Sequence, residues 1–120
     1  MPKYGDIVLV IDMPSSAGSD PKTRPAVVVT KDTDLDAGKP IVVAGISTRK
    51  PGYAVDPWSV PMQYDPNRHP VTGLKADCSA FARWLVVIDL TRIKGPPIGR
   101  TPHLDMVRIA VILDRFKRQN

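Results

Sequence analysis

The residue of this chain best suited to hold an anion is Arg24, which stands before Pro25 at the mouth of the valine-rich run Arg24-Pro25-Ala26-Val27-Val28-Val29. A guanidinium presents a planar fork of donors that matches two oxygens of one phosphate, which a lysine ammonium cannot do. Pro25 restricts Arg24 to extended backbone, so its side chain leaves the chain in a defined direction. Two hydroxyls, Ser47 and Thr48, end a second apolar run, and the cations Arg49 and Lys50 follow directly. A hydroxyl can hydrogen-bond phosphate, and such cations add affinity for a polyanion without reading its sequence, although a solvated turn has the same composition. Side chains alternate along a strand, so at most one of Ser47 and Thr48 can face the same chemistry. A third cluster, Asp77-Cys78-Ser79, lies upstream of Arg83, a cation that either reaches that place or merely flanks a strand. Tyr53, Trp58 and Tyr64 offer aromatic faces on which unpaired bases stack for about 1–3 kcal/mol each. Trp84, inside a long apolar run, reads as core.

The composition narrows the field. His69 and His103 are the only histidines, and neither has a partner at metal-ligand spacing. The single cysteine, Cys78, excludes a disulfide within the chain and a cysteine-based zinc cage, and its use suits a reducing, cytoplasmic setting. No basic stretch followed by an apolar run opens the sequence, and no window approaches a membrane-spanning length, so neither export by that route nor a membrane span is expected. Seventeen Lys and Arg against twelve Asp and Glu leave a net charge of +5, the crude footprint of a polyanion binder. A length of 120 residues predicts one domain, residues 1–120, large enough to bury a core without staples.

These residues need a scaffold, and the pattern predicts one made mostly of strands. Asp6 to Asp12, Arg24 to Thr30 and Ile41 to Ser47 are short runs rich in Val and Ile bounded by turn formers. Gly45 inside the third marks a bulge or a close backbone approach. Residues 14–23 are rich in Pro, Ser and Gly and read as a mobile flap, and Asp32 to Lys39 as a polar turn. Trp58 to Met62 makes a short strand that Pro61 confines to a sheet edge. Arg83 to Ile93 is the longest remaining strand candidate, followed by a rigid connection with Pro96 and Pro97. Thr101-Pro102 predicts a helix start, with the hydroxyl as N-cap and proline at the first helical position. In that helix Met106, Ile109, Ala110, Leu113 and Phe116 form one apolar stripe, and Leu104, Val107 and Val111 a second, which can meet a partner chain. Strands first and one helix last give an α+β, mostly-β fold, with the short strands closing into a small barrel.

Gly5-Asp6-Ile7-Val8, then Arg24-Pro25 with its valines, then Val42-Val43-Ala44-Gly45-Ile46-Ser47-Thr48, then Gly73-Leu74, then Ile98-Gly99-Arg100 before the helix, make an ordered set. The set resembles the MazF/PemK (Kid-like) toxin family over nearly the whole chain. The resemblance implies a small SH3-like barrel of the CcdB/MazF/Kid type with a C-terminal α-helix, working as a homodimer whose facing grooves bind single-stranded RNA. It implies a cytoplasmic, sequence-specific endoribonuclease, neutralised by a cognate antitoxin protein, that needs no metal or other cofactor. In such cleavage the ribose 2′-OH attacks its own phosphate, so a site must take that proton, stabilise a phosphorane and protonate the departing 5′-oxygen.

By the same resemblance the catalytic candidates are Arg24, Ser47 and Asp77. Arg24 matches the arginine of the family's Arg-Pro pair and would stabilise transition-state charge; the competing reading is an arginine paired with Asp6 or Asp12 at a barrel rim. Ser47 falls where the family places a hydroxyl residue, threonine or serine. Asp77 lies in the region where some members carry an acidic base, though its spacing departs from theirs. Thr48, Arg49, Lys50, Ser79 and Arg83 are the RNA-binding candidates. Two alternatives share the barrel: a non-catalytic binding module, and a gyrase-poisoning toxin like CcdB. The tail from Phe116 to Asn120 lacks the terminal Trp-Gly-Ile in which the gyrase poisons resemble one another.

Overall fold

The computed structural model describes residues 1–13, 22–48 and 56–119. Strand β1 (Asp6–Met13) starts at the Gly5-Asp6 pair, and its side chains go alternately to two separate cores: Ile7 to one, Val8 and Val10 to the other. A strand covered on both faces reads as a nearly continuous apolar run, which is why the segment does not alternate with polar residues. Strands β2 (Lys22–Val28) and β3 (Ile41–Thr48) follow, joined through a short helix, α1 (Asp32–Asp36), inside the predicted polar turn. Strand β4 (Ser59–Met62) lies at an edge as Pro61 requires. Strand β5 (Cys78–Ile88), a 3-10 turn (Leu90–Arg92), strand β6 (Gly99–Arg100) and helix α2 (His103–Gln119) complete the order.

The strands form one sheet in the order β4-β5-β3-β2-β1-β6, every pairing antiparallel. The architecture is mostly β with a C-terminal helix, as expected, and the sheet curls into a half-barrel. Its two edges are joined by the segment that follows β4. Arg100 N–H donates to Val71 O at 2.9 Å, Arg68 Nη2 to Ile98 O at 3.1 Å, and Thr72 Oγ1 to Gln63 O at 2.8 Å. The backbones meet so closely that a Cβ on Gly99 would fall 2.3 Å from the carbonyl of Thr72, and one on Gly73 2.3 Å from Ile98 O. Gly73-Leu74 and Ile98-Gly99-Arg100, separate in sequence, are therefore the two sides of one junction.

One core lies between the sheet and α2 and contains Ile7, Val27, Ile46, Val60, Met62, Cys78 and Ala80 with Met106 and Ile109 of the helix. Burying the last two stabilises α2 on the sheet by about 1.5–3 kcal/mol each. The second stripe, Leu104, Val107 and Val111, remains exposed. The other core lies on the opposite face and holds Val10, Met13, Ala26, Val28, Leu35, Val43, Trp84 and Ile88.

Two local expectations shift. The long strand begins at Cys78 instead of Arg83 and ends at Ile88 instead of Ile93. Apart from Phe81, Cys78 to Ala82 are small residues without strong strand preference, and it is pairing with β3 on one side and β4 on the other that holds them extended. At the start of α2, Met106 N–H donates to Pro102 O at 3.0 Å, while Thr101 is buried and its hydroxyl oxygen makes no hydrogen bond among the described residues. Thr101 thus precedes the cap position and does not cap the helix with its side chain.

Candidate active site

Arg24 sits in β2 opposite Val10 of β1. The β2–β3 pairing sets Val28 opposite Val43, Val27 opposite Ala44 and Ala26 opposite Gly45, and ends there, two residues short of Arg24 on β2 and of Ser47 on β3. Ser47 in turn is paired with Ser79 of β5, which is paired with Pro61 of β4. Residues directly opposite in an antiparallel ladder point to the same face, about 5 Å apart. Ser47 and Ser79 are therefore side by side, and Arg24, alternating with Ala26 as Ser47 alternates with its partner Gly45, lies on the same face of the sheet. The face is that of the second core: Arg24 shares the side of Ala26 and Val28, Ser47 that of Val43, and Ser79 that of Phe81, which packs against the same cluster.

Trp84 lies beneath Arg24 on this face. Its indole lies where a side chain on Gly45 would be, since a Cβ there would come within 2.1 Å of Cε3 and 2.2 Å of Cδ2. The Arg24 guanidinium carbon is 5.8 Å from the centre of the same ring, within cation–π range. Arg24 Nε also donates to Met13 O at 3.2 Å. The guanidinium of a half-buried residue is thus fixed by a carbonyl and an aromatic face. Charge-stabilising groups act best when they are oriented before the charge develops.

The other candidates distribute as follows. Asp77 is exposed and immediately precedes β5, two residues from Ser79. Thr48, paired with Cys78, is exposed and alternates to the opposite face from Ser47. Arg49 and Lys50 lie outside the described residues, as do Tyr53 and most of the predicted flap. Arg83 does not join Arg24 and Ser47: its Nε is 3.6 Å from Asp56 Oδ1 and its guanidinium lies 6.0 Å from the Phe116 ring of α2. Trp58 meets that ring at 5.5 Å between centroids, on the helix side of the sheet. His69 is tied into the edge junction, its Nδ1 accepting from Val71 N–H at 3.1 Å and Thr72 N–H at 3.2 Å. Asp6 Oδ2 accepts from Lys3 N–H at 2.8 Å.

Burial and, secondarily, the Asp77 carboxylate push the Cys78 thiol up to about 11 from 9.0. Cys78 is accordingly a small apolar core residue and not a nucleophile. Among the described residues no group of three or more His, Cys, Asp or Glu is placed to hold a metal ion. None of their helices is long and apolar enough to cross a membrane.

Sequence reasoning passed over Trp84 as a site residue. The signal was Gly45, whose bare backbone announced a close approach without naming what approaches.

A curled six-stranded antiparallel sheet with a helix after its last strand is a small mostly-β fold, and the chain shares it with several solved structures. Over 97% of this chain and 96% of the other it superposes on MazF from Deinococcus radiodurans with a TM-score of 0.71 at 16% identity. An endoribonuclease in complex with its cognate antitoxin from a mycobacterial species gives a TM-score of 0.71 at 13% identity, over 96% and 93% of the two chains. The Mycobacterium tuberculosis toxin MazF-mt6 gives 0.65 at 19% identity, over 92% and 93%. At these identities the likeness establishes the fold. No curated protein sequence matches the chain. Residues 3–116 match the family model of the PemK-like, MazF-like toxin of type II toxin-antitoxin systems, and the chain belongs to that family.

Proposed function

We propose that this protein is a metal-independent, sequence-specific endoribonuclease toxin that cleaves single-stranded RNA in the cytoplasm, with one domain carrying the whole activity. The observation that carries this reading is Arg24, held by Met13 O and the Trp84 ring on the face of the sheet that also carries Ser47. In the reaction the 2′-oxygen attacks the adjacent phosphorus as its proton passes to the base, the bond to the 5′-oxygen breaks as that oxygen takes a proton from solvent, and the products are a 2′,3′-cyclic phosphate and a 5′-hydroxyl. Arg24 would meet the two non-bridging oxygens as they gain charge, a contribution on the order of 3–4 kcal/mol for a preorganised donor. Ser47 would orient the 2′-OH or a phosphate oxygen, and Asp77, at the solvent-facing start of β5, would take the 2′ proton. Arg49 and Lys50 would contact flanking phosphates, whereas Ser79 is buried and Thr48 lies on the opposite face from Ser47, which leaves both without a direct RNA contact. Arg83, turned to the helix side, has at most a peripheral contact.

The resemblance to a toxin solved with its cognate antitoxin supports a small antitoxin protein as the neutralising partner. For the homodimer, the exposed stripe Leu104, Val107 and Val111 is the surface we assign to a second copy.

The test is incubation of purified protein with mixed-sequence RNA in EDTA. Cleavage leaving cyclic phosphate ends, lost in R24A and absent on a 2′-O-methyl substrate, supports the enzyme. Intact RNA that is nevertheless bound would favour the non-catalytic module.

A further inference from the structure

We propose that Arg92, which is not among the candidate site residues, is the positioning residue for Arg24 and acts through a bulge at the end of β1. The proposal rests on Arg24 being the catalytic cation. The β1–β2 register sets Val10 opposite Arg24 but Met13 opposite Lys22, so three steps along β1 answer two along β2. One extra residue is thereby accommodated in β1, and Asp12 takes up the distortion with φ +54°. A left-handed conformation costs a residue with a side chain roughly 1–2 kcal/mol and persists only where neighbours hold it.

Arg92 is that neighbour. Its Nε and Nη2 both donate to Ile11 O at 3.2 Å, and Nη2 also donates to Asp12 O at 2.9 Å. The next carbonyl along the chain, Met13 O, receives Nε of Arg24. Three successive carbonyls are therefore gripped by two guanidiniums, one fixing the bulge and the other leaning on the peptide that the bulge orients.

Arg92 is itself anchored. The 3-10 turn that carries it is capped by Asp89, whose Oδ1 accepts from Thr91 N–H at 3.0 Å, and Arg92 N–H donates to Asp89 O at 3.2 Å. Beyond it, Ile93 bridges to Val10 and Lys94 N–H donates to Leu9 O at 2.9 Å, which locks the turn to β1. A guanidinium so committed to backbone carbonyls serves geometry and leaves RNA contact to others.

The test compares R92A, R92K, D12G and R92A/D12G by single-turnover cleavage rate, RNA affinity and melting temperature. R92A should cleave about 10- to 100-fold more slowly, as misplacement of a reacting group by an ångström does, with RNA affinity within about twofold of wild type. R92K should fall between, because an ammonium reaches a carbonyl but lacks the fork. Glycine takes positive φ at little cost, so D12G alone should stay within about twofold of the wild-type rate and R92A/D12G should recover most of the loss. D12G should also raise the melting temperature of R92A more than that of wild type, a readout independent of cleavage. A wild-type rate for both R92A and R92K, a rate loss matched by lost RNA affinity, or no rescue by D12G would each overturn the proposal. Should R24A itself cleave normally, the nuclease reading falls and this role of Arg92 with it, whereas failure confined to the Arg92 variants leaves that reading standing.

Discussion

Substituting Gly45 with alanine should damage catalysis from beneath the site, without touching any residue that meets RNA. The added Cβ would lie 2.1, 2.2 and 2.6 Å from Cε3, Cδ2 and Cζ3 of Trp84. Carbon atoms rest about 3.5–4.0 Å apart, so the indole must retreat by roughly 1.4 Å or the two strands must part. Trp84 is only 6% exposed and is enclosed by the second core, so its retreat strains neighbours, as overpacking does at about 1–3 kcal/mol. The same ring carries the Arg24 guanidinium at 5.8 Å. A shift of more than an ångström in a charge-stabilising group costs on the order of 100-fold in rate. G45A should therefore melt about 4–12 °C lower, at roughly 4 °C per kcal/mol, and cleave RNA some 100-fold more slowly per folded molecule with nearly unchanged affinity. Thermal denaturation followed by circular dichroism and single-turnover cleavage of a fluorescent RNA measure the two effects. A G45A protein with wild-type melting and wild-type rate would refute the view that the indole sets the arginine.

S47A should lower the cleavage rate by about 10- to 100-fold while leaving the melting temperature within a degree or two, measured in the same two assays. G99A should destabilise by about 3 kcal/mol or more in urea unfolding, because its Cβ would meet the backbone carbonyl of Thr72 at 2.3 Å and backbone cannot step aside. Cys78, with its thiol pushed up to about 11, should resist iodoacetamide at pH 8 in the folded protein and react once urea unfolds it. Its raised value also means that the stability it contributes is intact below about pH 9 and is lost as pH rises through about 11, by roughly 2–3 kcal/mol; C78A should lack this loss in unfolding measured across that range. V107E, on the exposed stripe of α2, should shift the protein from dimer to monomer in sedimentation velocity without lowering its helix content.

The sequence alone determined the elements whose cause is local. Val and Ile runs between turn formers mark β1, β2 and β3, Pro61 places β4 at an edge, and the spacing of Met106, Ile109 and Leu113 gives α2 its buried stripe. The Arg-Pro pair and the strand-end hydroxyl could be picked out by residue type and order. Tertiary structure decided everything that depends on which strand lies beside which. The small residues Cys78, Ser79, Ala80 and Ala82 became strand because β3 and β4 flank them, and Ser79 was thereby delivered next to Ser47. Arg83 was turned toward Phe116, while Arg92, unremarkable in the sequence, was brought to the end of β1. Register is the physical reason. It is chosen by the packing of two whole faces against two cores, and a slip of one residue would send Arg24 and Ser47 to opposite sides of the sheet.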